Sequence, residues 1–514
     1  HASERARRSR RARALLPLLL IAASALPQSA AAQPDAAQAA RSSVAAEIRA
    51  QVGGKYKDFY APRGYWPLWV EQDRLGPQAD ALLALIDDVE VDGLDPRDYD
   101  ARALRRLIEE ADASADPKAL ARADLALSRS FASLVADMRR PARGLRMRYL
   151  DREVEPRDPD PSDTLRVAAL APSLTDYIRS AGWMSPLYMR LRSARADYGR
   201  KWGDLPAVLI PAGVKLRPGG KGEAVAMLRY RLGLPDGASY DKALAARVRA
   251  YQADHGLHLD GVAGAMTIAA LNQGSDRYEQ ALALNLERAR LLPGPGTRHV
   301  VVDAASARLW YYSKGALDGT MKVVAGAKES QTPMMAGMIR YATLNPYWNI
   351  PPELVERKVA PKILGGGSLK AMRYEALADW SANPAPLAQS AIDWNAVAAG
   401  RQEVRVRQLP GGDNAMGRVK FMFPNDLGIY LHDTPQRALF AKEDRHYSNG
   451  CVRLEDAQRL GRWFFGKPPA ADGSAPEQHL PLPQPVPVYL TYLTAVPTDQ
   501  GVRFLPDVYD RDSD

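Results

Sequence analysis

The hydrophobic period of the chain changes at Pro293-Gly294-Pro295-Gly296. Upstream, apolar residues recur three and four apart, as a helix with one buried face requires. Downstream they come in short β-branched and aromatic runs separated by turn residues. A chain of 514 residues holds about three or four units of ordinary domain size, so the two patterns together predict a multidomain α+β protein. Its 46% hydrophobic and 25% charged residues exclude a polytopic membrane protein, a collagen-like fibre and a wholly disordered chain.

Residues 40–205 read as a helical domain. Leu82, Ile86 and Val89 fall on one face after a Gly76-Pro77 start, and further helices are expected at 101–111 and 117–139. The acidic, proline-broken stretch 151–163 reads as a loop, and Tyr60, Tyr65, Trp66 and Trp69 as core rather than a ligand platform. Residues 212–274 predict three short helices around Val225, Leu228, Leu232, Val248 and Tyr251, followed by a linker helix within 275–297. From 298 to 496 a mainly-β domain is expected, with a hairpin at 299–302 and 309–312, strands at 320–325, 338–344, 418–423, 427–432 and 486–496, and an irregular stretch at 466–485. It carries a long insertion, 345–416, read as a helical lid. Residues 497–514 read as a tail.

The net charge of +9 is mostly local. Residues 1–32 set Arg5, Arg7, Arg8, Arg10, Arg11 and Arg13 against Glu4 alone and so supply +5 of it, which removes the case for a nucleic-acid partner. A 13-residue apolar run, Ala14–Leu26, and the small residues Ala30-Ala31-Ala32 follow. This is the layout of an export signal, and the run is short of the roughly 20 residues a spanning helix needs. The expectation is an exported protein, with an uncleaved N-terminal membrane tether as the alternative.

Cys451 is the single cysteine. It cannot close an intramolecular disulfide or build a multi-cysteine metal site, which leaves an inert buried thiol or a reactive one. A reactive thiol needs a base, and two histidines qualify: His432, ending a strand candidate 19 residues earlier, and His446, five residues earlier. Gly450 permits a tight turn in which the amides of Asn449, Gly450 and Cys451 could face a developing oxyanion. Elsewhere, His255 and His258 flank Gly256 without an H-E-x-x-H helix, and no metal site is read there.

Two resemblances follow from these residues. Gly222, Val225, Leu228, Leu232, Val248, Tyr251-Gln252, Gly256-Leu257, Asp260-Gly261, Gly264, Thr267 and Leu271 resemble the three-helix peptidoglycan-binding domain of cell-wall enzymes. His432-x-x-Pro435 with Ser448-Asn449-Gly450-Cys451-Val452-Arg453 resembles the signature of the L,D-transpeptidase (YkuD-type) catalytic family. Thr332-Pro333, Asn345–Pro351, Arg407-Gln408 through Asn414-Ala415, and Val419–Asn425 are similar to its long, periplasmic branch, which carries a helical scaffold domain. Many shorter relatives have histidine where Asn449 stands. The resemblance implies Cys451 as nucleophile, His432 as base, and Ser448, Asn449 and Gly450 as the oxyanion turn. Tyr430 is read as lining the donor site or as core packing, Arg453 as holding a substrate carboxylate or the catalytic turn or as a structural salt bridge, Trp348 as stacking on sugar or peptide or as packing, and His446 as a loop residue, an acceptor-side contact or the base. Asp260, Gly261, Gly264 and Thr267 would belong to the wall-binding module. The implied reaction joins peptidoglycan stem peptides by 3→3 cross-links through a cysteine thioester, releasing D-alanine, with no cofactor and no metal. The alternatives are an L,D-carboxypeptidase or wall-protein attachment on the same scaffold, and a non-catalytic peptidoglycan-binding protein.

Overall fold

The computed structural model describes residues 36–140, 145, 147–381, 383–499 and 501–512. The segment read as an export signal, 1–32, lies outside the described residues. Among the described residues no helix is long and apolar enough to cross a membrane.

The helical domain is organised by Pro117–Arg139, a 23-residue helix. Asp116 caps it by accepting from the Ala119 N–H at 3.2 Å, and Pro117 sits in the first turn, where its missing N–H would have had no partner. Leu120, Leu127, Phe131, Leu134 and Met138 line its buried side. Asp124 is buried among them. It accepts from the Tyr60 hydroxyl (2.5 Å) and from the N–H groups of Leu68 (2.9 Å) and Trp69 (2.7 Å). Burial pushes its carboxyl up to about 6 against those hydrogen bonds. Tyr60 and Trp69 are therefore core, while Tyr65 and Trp66 are half-buried beside them. A two-residue hairpin, β1 (Val70–Glu71) and β2 (Arg74–Leu75), interrupts the helices.

The loop expected at 151–163 is preceded by a strand the helical reading missed. β3 (Arg148–Tyr149) leaves the helical domain and pairs with the large sheet of the C-terminal half. That sheet comprises β4 (His299–Asp303), β5 (Arg308–Ser313), β6 (Ala316–Gly326) and β7 (Met335–Leu344). After the insertion come β12 (Val419–Met422), β13 (Leu431–His432), β14 (His446–Ser448), β15 (Val452–Leu454) and β16 (Gln478–Thr491). β12 pairs with both β13 and β7, so the path β12-β13-β15-β6-β5-β4-β16-β7 closes on itself. Strand periodicity explains why β4 is buried throughout. Val300 and Val302 enter the core inside the closed sheet, while Val301 packs into the core of the helical domain. Leu309 and Tyr311 repeat this against Trp310 and Tyr312. Helical and β units thus share one continuous core.

The insertion is more than the helical lid expected. Beside the helices Ala360–Leu364 and Trp394–Ala398 it holds a four-stranded antiparallel sheet of β8 (Trp348–Ile350), β9 (Tyr374–Leu377), β10 (Pro386–Leu387) and β11 (Arg405–Gln408) over its own apolar core. Two other expectations are corrected. β16 begins at Gln478 inside the stretch read as irregular, its prolines accommodated by a register shift between Pro481 and Val486. The supposed tail forms a hairpin, β17 (Ala495–Thr498) with β18 (Gly501–Phe504).

In the small three-helix unit, Glu223–Arg231, Lys242–Asp254 and Ala265–Gln273 surround Val225, Leu228, Val248 and Leu271. Tyr198, Trp202, Tyr278 and Val502 complete that core from outside. The expected linker helix, Ser275–Arg290, is accordingly a buried brace: Asn285 accepts from Thr494 N–H at 2.7 Å and donates to its hydroxyl at 2.9 Å. His255 stands at the junction, its ring stacked on Tyr251 at 3.7 Å and its Nε2 3.1 Å from the Tyr198 hydroxyl.

Burial lowers His255 from 6.5 to about 3. The unfolded chain takes up a proton as pH falls through about 6.5, and the folded chain does not until about pH 3. The stabilisation from this buried neutral ring is therefore full above pH 6.5 and lost progressively below it. In urea titrations the stability difference between wild type and His255→Gln is expected to shrink by roughly 1.4 kcal/mol per pH unit across that window. A pH-independent difference would contradict a buried neutral imidazole.

Candidate active site

β13 and β15 run parallel, with Leu431 opposite Val452 and His432 opposite Arg453. Side chains alternate along each strand, so Leu431 and Val452 enter the core while Tyr430, His432, Cys451 and Arg453 share the other face. Lys420, opposite His432 on β12, joins that face. The sequence reading had singled out all of these except Lys420. A cation inside the apolar alternation Val419–Met422 was the available signal.

The turn that delivers Cys451 is fixed by two hydroxyls. Gly450 has φ +101°, and a Cβ there would lie 3.0 Å from Ile429 Cδ1, so the position requires glycine. Its carbonyl accepts from the Thr332 hydroxyl at 2.8 Å, and the Cys451 carbonyl accepts from Ser448 Oγ at 2.5 Å. Among the described residues, the backbone N–H groups of Asn449, Gly450 and Cys451 meet no acceptor. Three successive donors of the cysteine turn are thus left unoccupied among the described residues.

His432 is 1% exposed, and its Nδ1–H donates to the Asp433 carbonyl at 2.5 Å. This selects the tautomer whose Nε2 carries the lone pair. The orienting group is the backbone carbonyl of Asp433. Its carboxylate turns away, taking Arg437 at 2.6 Å and the Arg418 N–H at 2.9 Å. Burial, with the nearby Arg453 and Lys420 charges, lowers His432 to about 3. Burial pushes the Cys451 thiol up to about 11, opposed by hydrogen bonding from Tyr430 and by the Arg453 and Lys420 cations. The resting pair is therefore neutral, and the thiol donates to the Gly428 carbonyl at 3.3 Å rather than to His432.

Arg453 donates to Gln436 Oε1 at 2.6 Å, while among the described residues its Nε is buried without a partner and no carboxylate forms a salt bridge with it. Lys420 Nζ lies 3.3 Å from Glu477 and 5.8 Å from the Tyr430 ring centroid. Glu477 also accepts from the Tyr347 N–H at 2.7 Å, which ties the root of the insertion to this face.

Two expectations need correction. His446 does not face the thiol: its ring nitrogens lie 2.7 Å from Asp444 Oδ1 and 2.8 Å from the Ala304 carbonyl, so neither is free to act as base or to meet substrate. Trp348 packs against the insertion's own core instead of the Cys451 face. In the small unit, Asp260, Gly261 and Thr267 are bound inward by Gln252, which donates to Asp260 (2.8 Å) and Thr267 (3.2 Å) and accepts from the Gly261 N–H (2.9 Å). Around Gly264 an added Cβ would meet open space. A cavity of about 830 Å³ beneath the helical domain, lined by Trp183, Pro293 and Tyr489, contains none of the Cys451 group.

With this geometry in hand, comparison with known proteins gives three matched families. Residues 297–465 match the L,D-transpeptidase catalytic domain (YkuD), residues 54–194 the Scaffold domain, and residues 226–271 a domain described as "Putative peptidoglycan binding domain". A curated protein of Haemophilus influenzae described as "Putative L,D-transpeptidase" is 32% identical over 240 residues, 45% of this chain and 48% of that protein. The chain thus spans about half the length of this relative. Among solved structures, the L,D-transpeptidase from Mycobacterium smegmatis is similar at 12% identity and TM-score 0.19, covering 38% of this chain and 58% of that one. An L,D-transpeptidase from Xylanimonas cellulosilytica is similar at 16% identity and TM-score 0.18, covering 55% and 98%. By its family matches the chain carries a YkuD-type L,D-transpeptidase catalytic domain together with a peptidoglycan-binding domain.

A neutral resting pair has a signature. Alkylation of Cys451 by iodoacetamide is expected to accelerate about tenfold per pH unit through neutrality, levelling only as pH approaches about 11. A plateau between pH 5 and 8 would instead mean a preformed thiolate–imidazolium pair.

Proposed function

We propose that this protein is an exported peptidoglycan L,D-transpeptidase that joins stem peptides by 3→3 cross-links through a thioester on Cys451. The observation that carries the reading is the shared face of β13 and β15, where His432, with its lone pair on Nε2, stands on the same face as Cys451, and the turn that delivers the thiol has N–H groups at Asn449, Gly450 and Cys451 without an acceptor among the described residues. Substrate entry would draw the thiol from the Gly428 carbonyl toward His432. Nε2 takes the proton as Sγ attacks the carbonyl of the third residue of a tetrapeptide stem. The resulting oxyanion is met by the N–H groups of Asn449, Gly450 and Cys451. Collapse breaks the amide bond to the terminal D-alanine, whose nitrogen receives the proton from His432, and leaves a thioester. The side-chain amine of a second stem's third residue then attacks, giving its proton to Nε2, and the thiolate departs and is reprotonated. The ledger closes with one amide broken, one formed and one D-alanine released.

The remaining groups fit around this sequence. The Tyr430 hydroxyl and the Arg453 and Lys420 cations favour negative charge on sulfur when it develops. The Arg453 Nε, buried without a partner, is a donor for the donor stem's carbonyl or carboxylate. The insertion 345–416 would cover the acceptor side, and the small three-helix unit would hold the enzyme on the wall. The signal-like segment 1–32 would send the chain to the periplasm.

The test is incubation of purified protein with disaccharide-tetrapeptides and mass analysis of the products. A dimer lighter than two tetrapeptide units by one D-alanine is expected. Cys451→Ala should abolish it, and His432→Ala should reduce it by about 10²–10⁴-fold. Tripeptide without dimer would identify a hydrolase instead, and undiminished dimer from Cys451→Ala would remove the thioester.

A further inference from the structure

After β18 the chain returns to the catalytic sheet, and its last described residues grip a segment that in turn grips the cysteine turn. Asp507 organises the return by accepting from the Tyr492 hydroxyl (2.8 Å) and the Arg511 N–H (3.0 Å). Tyr509 is 3% exposed and stacks on Tyr492 with ring centroids 5.0 Å apart. Its hydroxyl donates to the Gly326 carbonyl at 2.6 Å and lies 3.4 Å from the Thr332 N–H, while its carbonyl accepts from Gln331 Nε2 at 3.2 Å. Arg511 adds bonds to Gln331 Oε1 (2.7 and 3.0 Å) and to the Thr332 carbonyl (3.2 Å). Gln331 and Thr332 are thus held at both backbone and side chain by residues about 180 positions later.

What they hold matters because of the planarity of one peptide bond. The Thr332 hydroxyl donates to the Gly450 carbonyl at 2.8 Å while itself accepting from the Gly326 N–H at 2.9 Å. In a trans peptide the C=O of one residue and the N–H of the next point in opposite directions. Fixing the Gly450 carbonyl against Thr332 therefore aims the Cys451 N–H away from it, and that N–H is one of the three donors without an acceptor. Gly450, at φ +101°, offers little rotational resistance of its own. The direction of the donor is set by the partner its carbonyl finds.

We propose that the C-terminal segment 505–512 is a strap that positions the oxyanion-binding turn, with Tyr509 and Arg511 acting through Thr332 on the Cys451 N–H. They are positioning residues, and neither touches the thiol. The proposal rests on the reading of Cys451 as a nucleophile whose attack generates an oxyanion.

The experiment separates oxyanion stabilisation from thiol reactivity by measuring two rates on the full chain. Acylation of Cys451 by a carbapenem passes through a tetrahedral oxyanion. Alkylation by iodoacetamide is a displacement at saturated carbon and makes none. Tyr509→Phe, which keeps the ring and loses the hydroxyl, is expected to slow acylation by about tenfold or more while alkylation stays within about twofold of wild type; deleting an oxyanion donor outright costs about 10²–10³. Arg511→Gln, measured alongside should Tyr509→Phe fold poorly, is expected to shift the ratio the same way. Unchanged acylation, or equal loss of both rates, would overturn the strap. Wild-type protein that is alkylated but never acylated would instead overturn the underlying reading of Cys451.

Discussion

Two short strands carry the proposed chemistry, and their register decides whether there is a site at all. With Leu431 opposite Val452 and His432 opposite Arg453, the residues preceding each pair, Tyr430 and Cys451, fall side by side on the same face as the histidine. A slip of one residue would send His432 into the apolar core and bring Leu431 out against the thiol. The register is held where slippage costs most. Leu431 and Val452 are buried with no exposed surface, and β13 is paired on its other side to β12, where Lys420 meets His432. The closed sheet leaves these strands no free edge along which to move.

The electrostatics follow from the same burial. An imidazole lowered to about 3 and a thiol raised to about 11 are both kept neutral, because ions without solvent are costly. The site does not hold its thiol charged in waiting. On the proposed reading, what charge separation needs once substrate has excluded water is a lone pair on Nε2, cations at Arg453 and Lys420, and N–H donors at the turn. Lys420 is balanced by Glu477, which also fastens the Tyr347 N–H at the entrance to the insertion. The position of the insertion and the field around the thiol are therefore mechanically connected through one carboxylate.

Features governed by local chemistry were legible in the sequence. The apolar period over 117–139 forms a helix, the apolar runs near 300 and 310 form a hairpin, and the glycine turn with its cysteine and strand histidine marks the candidate site. What escaped was decided by partners distant in the chain. β3 is two residues long and exists because β7 accepts it, and β16 starts among prolines because the register shift frees them from the ladder. The insertion's sheet is made of strands two to four residues long, too short for a period to register. His446 was drawn away by Ala304, 142 residues earlier, and Trp348 by the insertion's core. The orienter of His432 is a backbone carbonyl, which every residue possesses and no sequence distinguishes.

The most direct measurement is the intact mass of the protein quenched during reaction with a tetrapeptide donor whose third-residue side-chain amine is acetylated, so that no acceptor amine is present, followed by mapping of the adduct. The account predicts an acyl group of acetylated tripeptide-stem mass on the peptide containing Cys451, labile to hydroxylamine as a thioester is. Turnover with no adduct on Cys451, or an adduct carried by Ser448, would contradict it.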